Sequence, residues 1–187
     1  MRKALSIRAF VAIELPEKTR AEISRLVDRF RGMPVRWVAR QNLHLTLVFL
    51  GDTEYEYLTA ARATIAQAVA NARQFHVSCC SIGAFPSTRA ARVIWLGIGQ
   101  GATELSELAR RIRNALPAKG FAGDTRPFSP HLTIGRVRSP LHIDAGALIP
   151  QDAKLSAFPV TEVTLLHSHL RPSGPVYETL ERYLLRP

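Results

Sequence analysis

The sequence predicts an α+β fold built from two similar lobes that face a shared cleft. The chain has 187 residues, 47% of them hydrophobic and 21% charged, which is typical of a globular protein and excludes disordered, collagen-like and coiled-coil chains. A short motif occurs twice, as His44-Leu45-Thr46-Leu47 and as His131-Leu132-Thr133-Ile134. Each copy follows a strand and a helical pattern of about equal length, which begin at Arg8 and at Arg92. We therefore expect residues 1–187 to form a single domain of two interwoven lobes with one motif each.

Short apolar and β-branched runs bounded by turn residues predict the strands of both halves. The predicted strands cover residues 8–15, 35–39, 43–50, 75–82, 92–98, 131–137, 160–170 and 176–185. The segment between two of them, residues 83–91, contains a phenylalanine and an arginine and is predicted to be a functional loop.

Apolar side chains at helical spacing predict three helices. The first follows Pro16, a residue favoured at the start of a helix. The second follows Thr53 and Glu56, whose spacing is typical of a capping box. The third covers residues 102–119 and is expected to end at Gly120.

The repeated motif places an imidazole and a hydroxyl on one face of a strand. Because side chains alternate between faces, His44 shares a face with Thr46, and His131 shares one with Thr133. The apolar residues between them face the core, and regular alternation puts Phe49 on that core face as well. Two copies in matching settings favour a functional pair over an ordinary polar surface.

Two histidines and two hydroxyls match the demands of in-line displacement at phosphorus. An imidazole has an unperturbed pKa near ~6.5, so one can accept a proton from the attacking oxygen while the other donates a proton to the leaving oxygen. Threonine hydroxyls can donate hydrogen bonds to the non-bridging oxygens, where negative charge rests. The sequence therefore predicts acid–base catalysis by His44 and His131, with Thr46 and Thr133 holding the phosphate.

Two further residues are candidates for substrate binding. Arg136 follows the second motif at a spacing that turns it to the opposite face of a regular strand, so a bulge at Gly135 is needed to bring it back to the phosphate. Without that bulge it is a surface arginine. Phe85 is preferred over Trp37 and Trp95 for contact with a base, because a tryptophan within an apolar strand more often belongs to the core.

No metal and no other cofactor is predicted. Neither motif has a carboxylate or a thiol beside its histidine at the spacing typical of zinc or two-metal centres. His167 and His169 form another same-face pair, for which a metal site is the less favoured interpretation. His76 and His142 are isolated and are interpreted as structural or surface residues.

The charge and the cysteines bear on partners and location. Lysine and arginine number 25 against 15 acidic residues, a net charge of +10 that favours a polyanionic partner without identifying one. No apolar run approaches the ~20 residues of a membrane span, and the N-terminal stretch does not resemble a signal peptide. Cys79 and Cys80 are adjacent and are expected to be buried, reduced thiols. We expect a cytoplasmic monomer that contacts no membrane.

These residues resemble the 2H phosphoesterases, a family named for two His-x-(Thr/Ser)-x motifs, and within it the bacterial RNA 2',3'-cyclic phosphodiesterases, also called 2'-5' RNA ligases of the LigT or ThpR type. The similarity extends over nearly the whole chain. It covers residues 8–16, 36–38, 42–51, 85–86, 92–95, 130–136 and 174–177. Gly135 departs from the family pattern, in which alanine is more common.

The resemblance implies a bilobal, LigT-like α+β fold in which antiparallel sheets line a central cleft and helices lie outside. It implies metal-independent opening of a 2',3'-cyclic phosphate, at an RNA end or in a small cyclic nucleotide, to leave a 2'-phosphate. The family's proton donor falls on His44 and its proton acceptor on His131. Thr46 and Thr133 would hold the phosphate oxygens, and Arg136 matches the arginine after the second motif. The same site working in reverse would form a 2'-5' linkage.

Two other functions stay open on the sequence. A non-catalytic RNA-binding module would use the basic surface alone and would bind RNA in a salt-sensitive way. A metal-dependent phosphoesterase would lose its activity to a chelator. Neither alternative accounts for the repeated motif.

Overall fold

Within the part of the chain that the structure describes, the strands build two four-stranded sheets and one two-stranded sheet, and the strands pair antiparallel. The structure, a computed structural model, describes residues 6–117, 128–144, 155–172 and 174–187. The strands are β1 Ser6–Glu14, β2 Arg36–Trp37, β3 His44–Glu54, β4 Phe75–Val77, β5 Cys79–Phe85, β6 Ala91–Ile98, β7 His131–Leu141, β8 Phe158–Val160, β9 Glu162–Arg171 and β10 Gly174–Leu184.

The two copies of the motif lie in different sheets. The first sheet has the order β10-β9-β1-β3 and carries the first motif on β3. The second sheet has the order β2-β7-β6-β5 and carries the second motif on β7. In each sheet the motif strand pairs with the strand that opens its half of the chain, β3 with β1 and β7 with β6. The two similar lobes that the repeat predicts, here called the first and second lobe, are therefore present, and β2 crosses from the first half into the second lobe.

Three α-helices each bury one apolar face against this framework. They are α1 Glu17–Asp28, α2 Tyr55–Val69 and α3 Ala102–Ala115. Their buried side chains recur every three or four residues, as Ile65 and Val69 do on α2. The same core contains Leu45 and Leu132, the central apolar residues of the two motifs. Burial of these two leucines holds the histidines and threonines on the opposite face. None of the described helices is long and apolar enough to span a bilayer.

The start of α2 differs from the prediction. Thr53 does not cap the helix but belongs to β3, and its hydroxyl donates to the carbonyl oxygens of Leu50 and Gly51 at 3.4 and 3.1 Å. The helix begins at Tyr55, with Glu54 before it and no side-chain cap. The positive φ of Gly51, 78°, lets the chain turn there, and the hydroxyl of Thr53 is used in this turn instead of at the helix end.

The predicted loop at residues 83–91 is wrong as well. Its first residues extend β5 through Phe85, a short 3-10 helix covers Thr88–Ala90, and β6 begins at the next residue. A Cβ at Gly83 would lie 2.3 Å from the ring of Trp95, so only glycine lets the indole pack flat against β5. Phe85, which was expected in the loop, is thus the last residue of a strand.

Two smaller predictions also need correction. α3 ends at Ala115, before the predicted end at 119, and Gly120 lies outside the described residues. Cys79 is partly buried, but Cys80 is exposed, because the register of β5 shifts between Cys79 and Ser81. Burial, together with the neighbouring Cys80, raises the pKa of Cys79 to about 12. The Cys79 thiol is therefore protonated and unreactive at neutral pH.

Candidate active site

His44 is fixed by hydrogen bonds on both sides of its ring. Its Nδ1–H donates to the carbonyl oxygen of Asn42 at 2.7 Å, and its Nε2 lies 3.0 Å from Oγ1 of Thr46. The bond to a carbonyl requires the proton to sit on Nδ1, so Nε2 is the nitrogen that can exchange a proton with a substrate. Thr46 and His44 share the face expected from alternation.

His131 repeats the same arrangement in the second lobe. Its Nδ1–H donates to the carbonyl oxygen of Ser129 at 2.7 Å, again two residues before the histidine. Nε2 is therefore the available nitrogen here as well. Among the described residues, Thr133 does not bond to His131 in the way that Thr46 bonds to His44.

An aromatic ring meets each histidine edge to face at nearly the same distance. Tyr177 of β10 lies 5.1 Å from His44 with an interplanar angle of 87°, and Phe85 of β5 lies 5.1 Å from His131 at 88°. Phe10 packs against both His44 and Tyr177, at 5.0 Å from each. These contacts restrict the rotation of both imidazoles.

A β-bulge interrupts β3 directly after the first motif. Thr46 pairs with Ala12 and Phe49 pairs with Phe10, so two residues of β3 between these pairs oppose a single residue of β1. The extra residue returns Phe49 to the face of His44, where it packs beside Phe10 and Tyr177. The prediction that Phe49 faces the core is therefore wrong.

The same bulge occurs after the second motif. Thr133 pairs with Trp95 and Arg136 pairs with Val93, so two residues of β7 between these pairs again oppose a single residue of β6. Arg136 therefore lies on the same face as Thr133, as the predicted bulge near Gly135 requires. A Cβ at Gly135 would lie 2.6 Å from Cγ1 of Val35, so the tight packing of the segment before β2 accounts for glycine where the family more often has alanine.

The charge of Arg136 acts across the cleft on residues of the first lobe. Burial lowers the pKa of His44, and the guanidinium of Arg136 lowers that pKa further, while the hydrogen bond to Asn42 raises it in part. Arg136 also lowers the pKa of Tyr177, which burial raises above its usual range. Arg136 of the second lobe is thus close to both His44 and Tyr177 of the first lobe.

Asn42 joins the first motif to β10. Its carbonyl accepts the bond from His44, and its side-chain Nδ2 donates to the carbonyl oxygen of Pro175 at 2.8 Å. This bond positions the strand that carries Tyr177. Sequence reasoning identified neither Asn42 nor Tyr177 as part of the site. Both residues lie in segments that carry the family resemblance, 42–51 and 174–177.

The remaining candidates from the sequence are one phenylalanine, two tryptophans and two histidines. Phe85 is 37% exposed at the end of β5 and contacts both His131 and Trp95. Trp37 and Trp95 are half-buried within strands, and His76 and His142 are exposed. The structure therefore brings Phe85 to the second motif, and the interpretation of His76 and His142 as surface residues is confirmed.

Comparison with known proteins gives a consistent set of relatives. Residues 10–171 match the 2'-5' RNA ligase superfamily. The RNA 2',3'-cyclic phosphodiesterase of Methanothermobacter thermautotrophicus is 33% identical over 186 residues, covering 97% of this chain and 100% of the relative. The RNA 2',3'-cyclic phosphodiesterase of Thermotoga maritima is 30% identical, covering 93% of each protein.

Solved structures agree with these sequence relatives. The crystal structure of E. coli LigT complexed with 3'-AMP superposes with a TM-score of 0.83 at 29% identity, covering 98% of this chain and 100% of that chain. The crystal structure of TT0787 of Thermus thermophilus has the same TM-score, 0.83, at 29% identity. The fold is therefore LigT-like, as the resemblance implied, and the chain belongs to the 2'-5' RNA ligase superfamily.

Proposed function

We propose that the chain is an RNA 2',3'-cyclic phosphodiesterase that opens the cyclic phosphate to leave a 2'-phosphate. The observation that carries this proposal is the matched pair of imidazoles, each bonded through Nδ1 to a backbone carbonyl and each placed on a strand with the same bulge. Relatives with this name span nearly the whole chain at 30% and 33% identity, which supports the same class of reaction here.

The reaction needs one proton acceptor and one proton donor. In the proposed step His131 Nε2 takes a proton from water as the water oxygen bonds to phosphorus. The bond between phosphorus and O3' breaks, and His44 Nε2 gives its proton to O3'. The product is a free 3'-hydroxyl and a 2'-phosphate, and proton exchange with solvent restores both imidazoles.

The other side chains on this face would hold the phosphate during that displacement. The hydroxyls of Thr46 and Thr133 can donate hydrogen bonds to its two non-bridging oxygens. Arg136 lies on the face of Thr133 and close to His44, so its guanidinium can neutralise the charge between the two lobes. Two imidazoles supply both proton transfers, so the proposed chemistry requires no metal.

The lowered pKa of His44 fits the donor role only once the substrate is bound. In the free protein burial and Arg136 both favour the neutral imidazole, whereas a donor has to be protonated. A phosphate anion beside His44 favours the charged form and offsets the effect of Arg136. The donor is then protonated in the complex and gives up its proton readily.

A ribose 5'-hydroxyl in place of the attacking water would give ligation. The same displacement would then join two RNA ends through a 2'-5' linkage, with the same two histidines moving the protons. Phe85 lies beside His131, on the side from which the attacking group arrives, and its exposed ring can stack on a base. A net charge of +10 favours RNA over an uncharged ligand.

The test uses a short RNA that ends in a 2',3'-cyclic phosphate, incubated with the purified protein in the presence of EDTA. We expect a 2'-phosphate product, identified by chromatography against 2'- and 3'-phosphate standards. His44→Ala and His131→Ala should each lose this product, while His76→Ala, a change at an exposed histidine of β4, should keep it.

Other results of this experiment would contradict the proposal in different ways. RNA binding without turnover in the unmodified protein would support the non-catalytic module. Product that forms only when a divalent metal is restored would support a metal-dependent phosphoesterase. A 3'-phosphate product would mean that the other P–O bond breaks.

A further inference from the structure

Three potential metal ligands meet on the face of the first sheet that points away from the cleft. His167 and His169 of β9 flank Ser168, which pairs with Tyr177 of β10. Tyr177 packs beneath His44 on the cleft face, so the residues next to Ser168 and Tyr177 point to the other side of the sheet. Glu178 pairs directly with His167 and shares that outer face.

The donor atoms of this cluster converge on one point. Nε2 of His169 lies 2.7 Å from Oε2 of Glu178, and Nδ1 of His167 lies 3.7 Å from the same oxygen. The centroids of the two imidazole rings are 3.7 Å apart, and the ring planes are tilted by 42°. One ligand atom from each of the three residues falls within 4.8 Å of the others.

This geometry is close to that of a zinc site with three protein ligands. Zinc binds imidazole nitrogen and carboxylate oxygen at about 2.0–2.2 Å in a tetrahedron, which places neighbouring ligand atoms roughly 3.4 Å apart. The two nitrogen-to-oxygen separations of 2.7 and 3.7 Å bracket that value, and all three ligand atoms lie within 4.8 Å of one another. The fourth position would be open, because the Glu178 side chain is 59% exposed.

A simple ion pair explains only part of the cluster. The contact between Nε2 of His169 and the Glu178 carboxylate, at 2.7 Å, is an ordinary pair, but Nδ1 of His167 faces the same oxygen at 3.7 Å, beyond hydrogen-bond distance. A divalent cation among the three residues would give all three ligand atoms a partner. We propose that His167, His169 and Glu178 bind a zinc-class divalent cation on the outer face of the first sheet.

The proposed ion would connect β9 and β10 on the side opposite the active site. It would be structural and would take no part in phosphate chemistry, because its ligands and the motif histidines lie on opposite faces. Its effect would therefore be seen in the stability of the protein and not in its turnover. The proposal does not depend on the proposed function.

The test titrates ZnCl2 into the full-length protein, freed of metal with EDTA and desalted, by isothermal titration calorimetry. We expect one ion per chain. Each of His167→Ala, His169→Ala and Glu178→Gln should weaken the affinity by at least about tenfold. His76→Ala is the matched control, an exposed histidine on β4 that should leave the affinity unchanged.

The histidines of the cleft need a separate control, since they can also bind zinc. The double variant His44→Ala, His131→Ala should keep the single high-affinity ion. Zinc should raise the melting temperature of that double variant and of the unmodified protein, but not that of Glu178→Gln, whose carboxamide keeps the shape of the side chain. Circular dichroism before metal addition checks that each variant is folded.

Two outcomes would overturn the proposal. One is the absence of stoichiometric binding in the unmodified protein. The other is binding that disappears in the cleft double variant but persists in the variants of His167, His169 and Glu178, which would place the ion in the cleft. Loss of RNA turnover with retained zinc binding would instead concern the proposed function alone.

Discussion

The two motif strands, β3 and β7, have the same backbone design but different surroundings. Both hold the histidine through Nδ1, both bulge after the threonine, and both receive an aromatic edge at 5.1 Å. After the bulge, however, β3 presents Phe49 to the cleft and β7 presents Arg136. Two aromatic rings lie beside each histidine, Phe10 and Tyr177 at His44 and Phe85 and Trp95 at His131. The lobes therefore differ in the residue after the bulge, an aromatic ring in the first lobe and a guanidinium in the second.

This difference gives the two imidazoles unlike electrostatic surroundings. Burial lowers the pKa of His44, which Phe10 and Tyr177 contact, and the charges of Arg136 and Arg20 lower it further. The local backbone fixes which nitrogen of each imidazole is free, whereas the residue after the bulge contributes to the electrostatics. In the proposed mechanism, the acid and base roles would therefore depend on the surroundings and not on the motif.

The largest expected effect comes from removing either histidine. His44→Ala and His131→Ala should each lower kcat by about 10²–10⁴-fold, because each removes one of two proton transfers. The double variant should be little worse than either single variant, since both act in the same step. Single-turnover assays on the cyclic-phosphate RNA measure this. Retained turnover in either single variant would contradict the assignment.

Loss of Arg136 should have the next largest effect. Arg136→Gln removes a charged donor aimed at the phosphate and should lower kcat by about 10²-fold. Arg138→Gln, on the same strand and also exposed, is the matched control and should change kcat little. Equal effects of the two changes would mean that only the overall charge matters.

Loss of either threonine hydroxyl should lower kcat by a similar factor. Thr46→Val and Thr133→Val each remove a hydrogen bond to a charged oxygen, worth about 1.5–3 kcal/mol, or roughly 10- to 100-fold in kcat. Thr46→Val should also change the titration of His44, to which it is bonded. An unchanged titration of His44 in Thr46→Val would contradict the bond between the two side chains.

The pKa of His44 provides a test without turnover. In the free protein it should lie below the reference of about 6.5, and Arg136→Gln should raise it, because a nearby positive charge is removed. If His44 is the donor, kcat/KM falls as pH rises through this pKa, so Arg136→Gln moves the alkaline limb to higher pH. NMR titration of the imidazole and a pH–rate profile measure both shifts. A flat profile would count against both histidines.

The smallest effect concerns the packing behind the second bulge. Gly135→Ala places a methyl group 2.6 Å from Val35 and should cost about 1–3 kcal/mol of the free energy of unfolding. Val48 occupies the equivalent position in β3 of the first lobe, where a larger side chain is buried. Chemical denaturation of Gly135→Ala, with Gly32→Ala in open space as control, checks this difference.

The sequence predicts the repeat, and with it most of the site, because alternation and spacing are local properties. His44, Thr46, His131 and Thr133 follow from the pattern alone. The position of Phe49 is not predicted correctly, because the bulge in β3 lies within a continuous apolar run and no glycine indicates it. In β7, by contrast, Gly135 indicates the bulge. The positions of Tyr177 and Glu178 depend on the pairing of β9 with β10, which places Glu178 beside His167. The order of residues does not reveal this pairing.

The central claim, that His44 donates the proton and His131 accepts it, is tested most directly by changing the leaving group. In a cyclic substrate with sulfur in place of the 3' oxygen, the leaving thiolate needs no proton, because a thiol has a pKa of about 8.5. We predict that this substrate restores most of the activity lost in His44→Ala and none of that lost in His131→Ala. Rescue of His131→Ala instead, or equal rescue of both variants, would contradict the assignment.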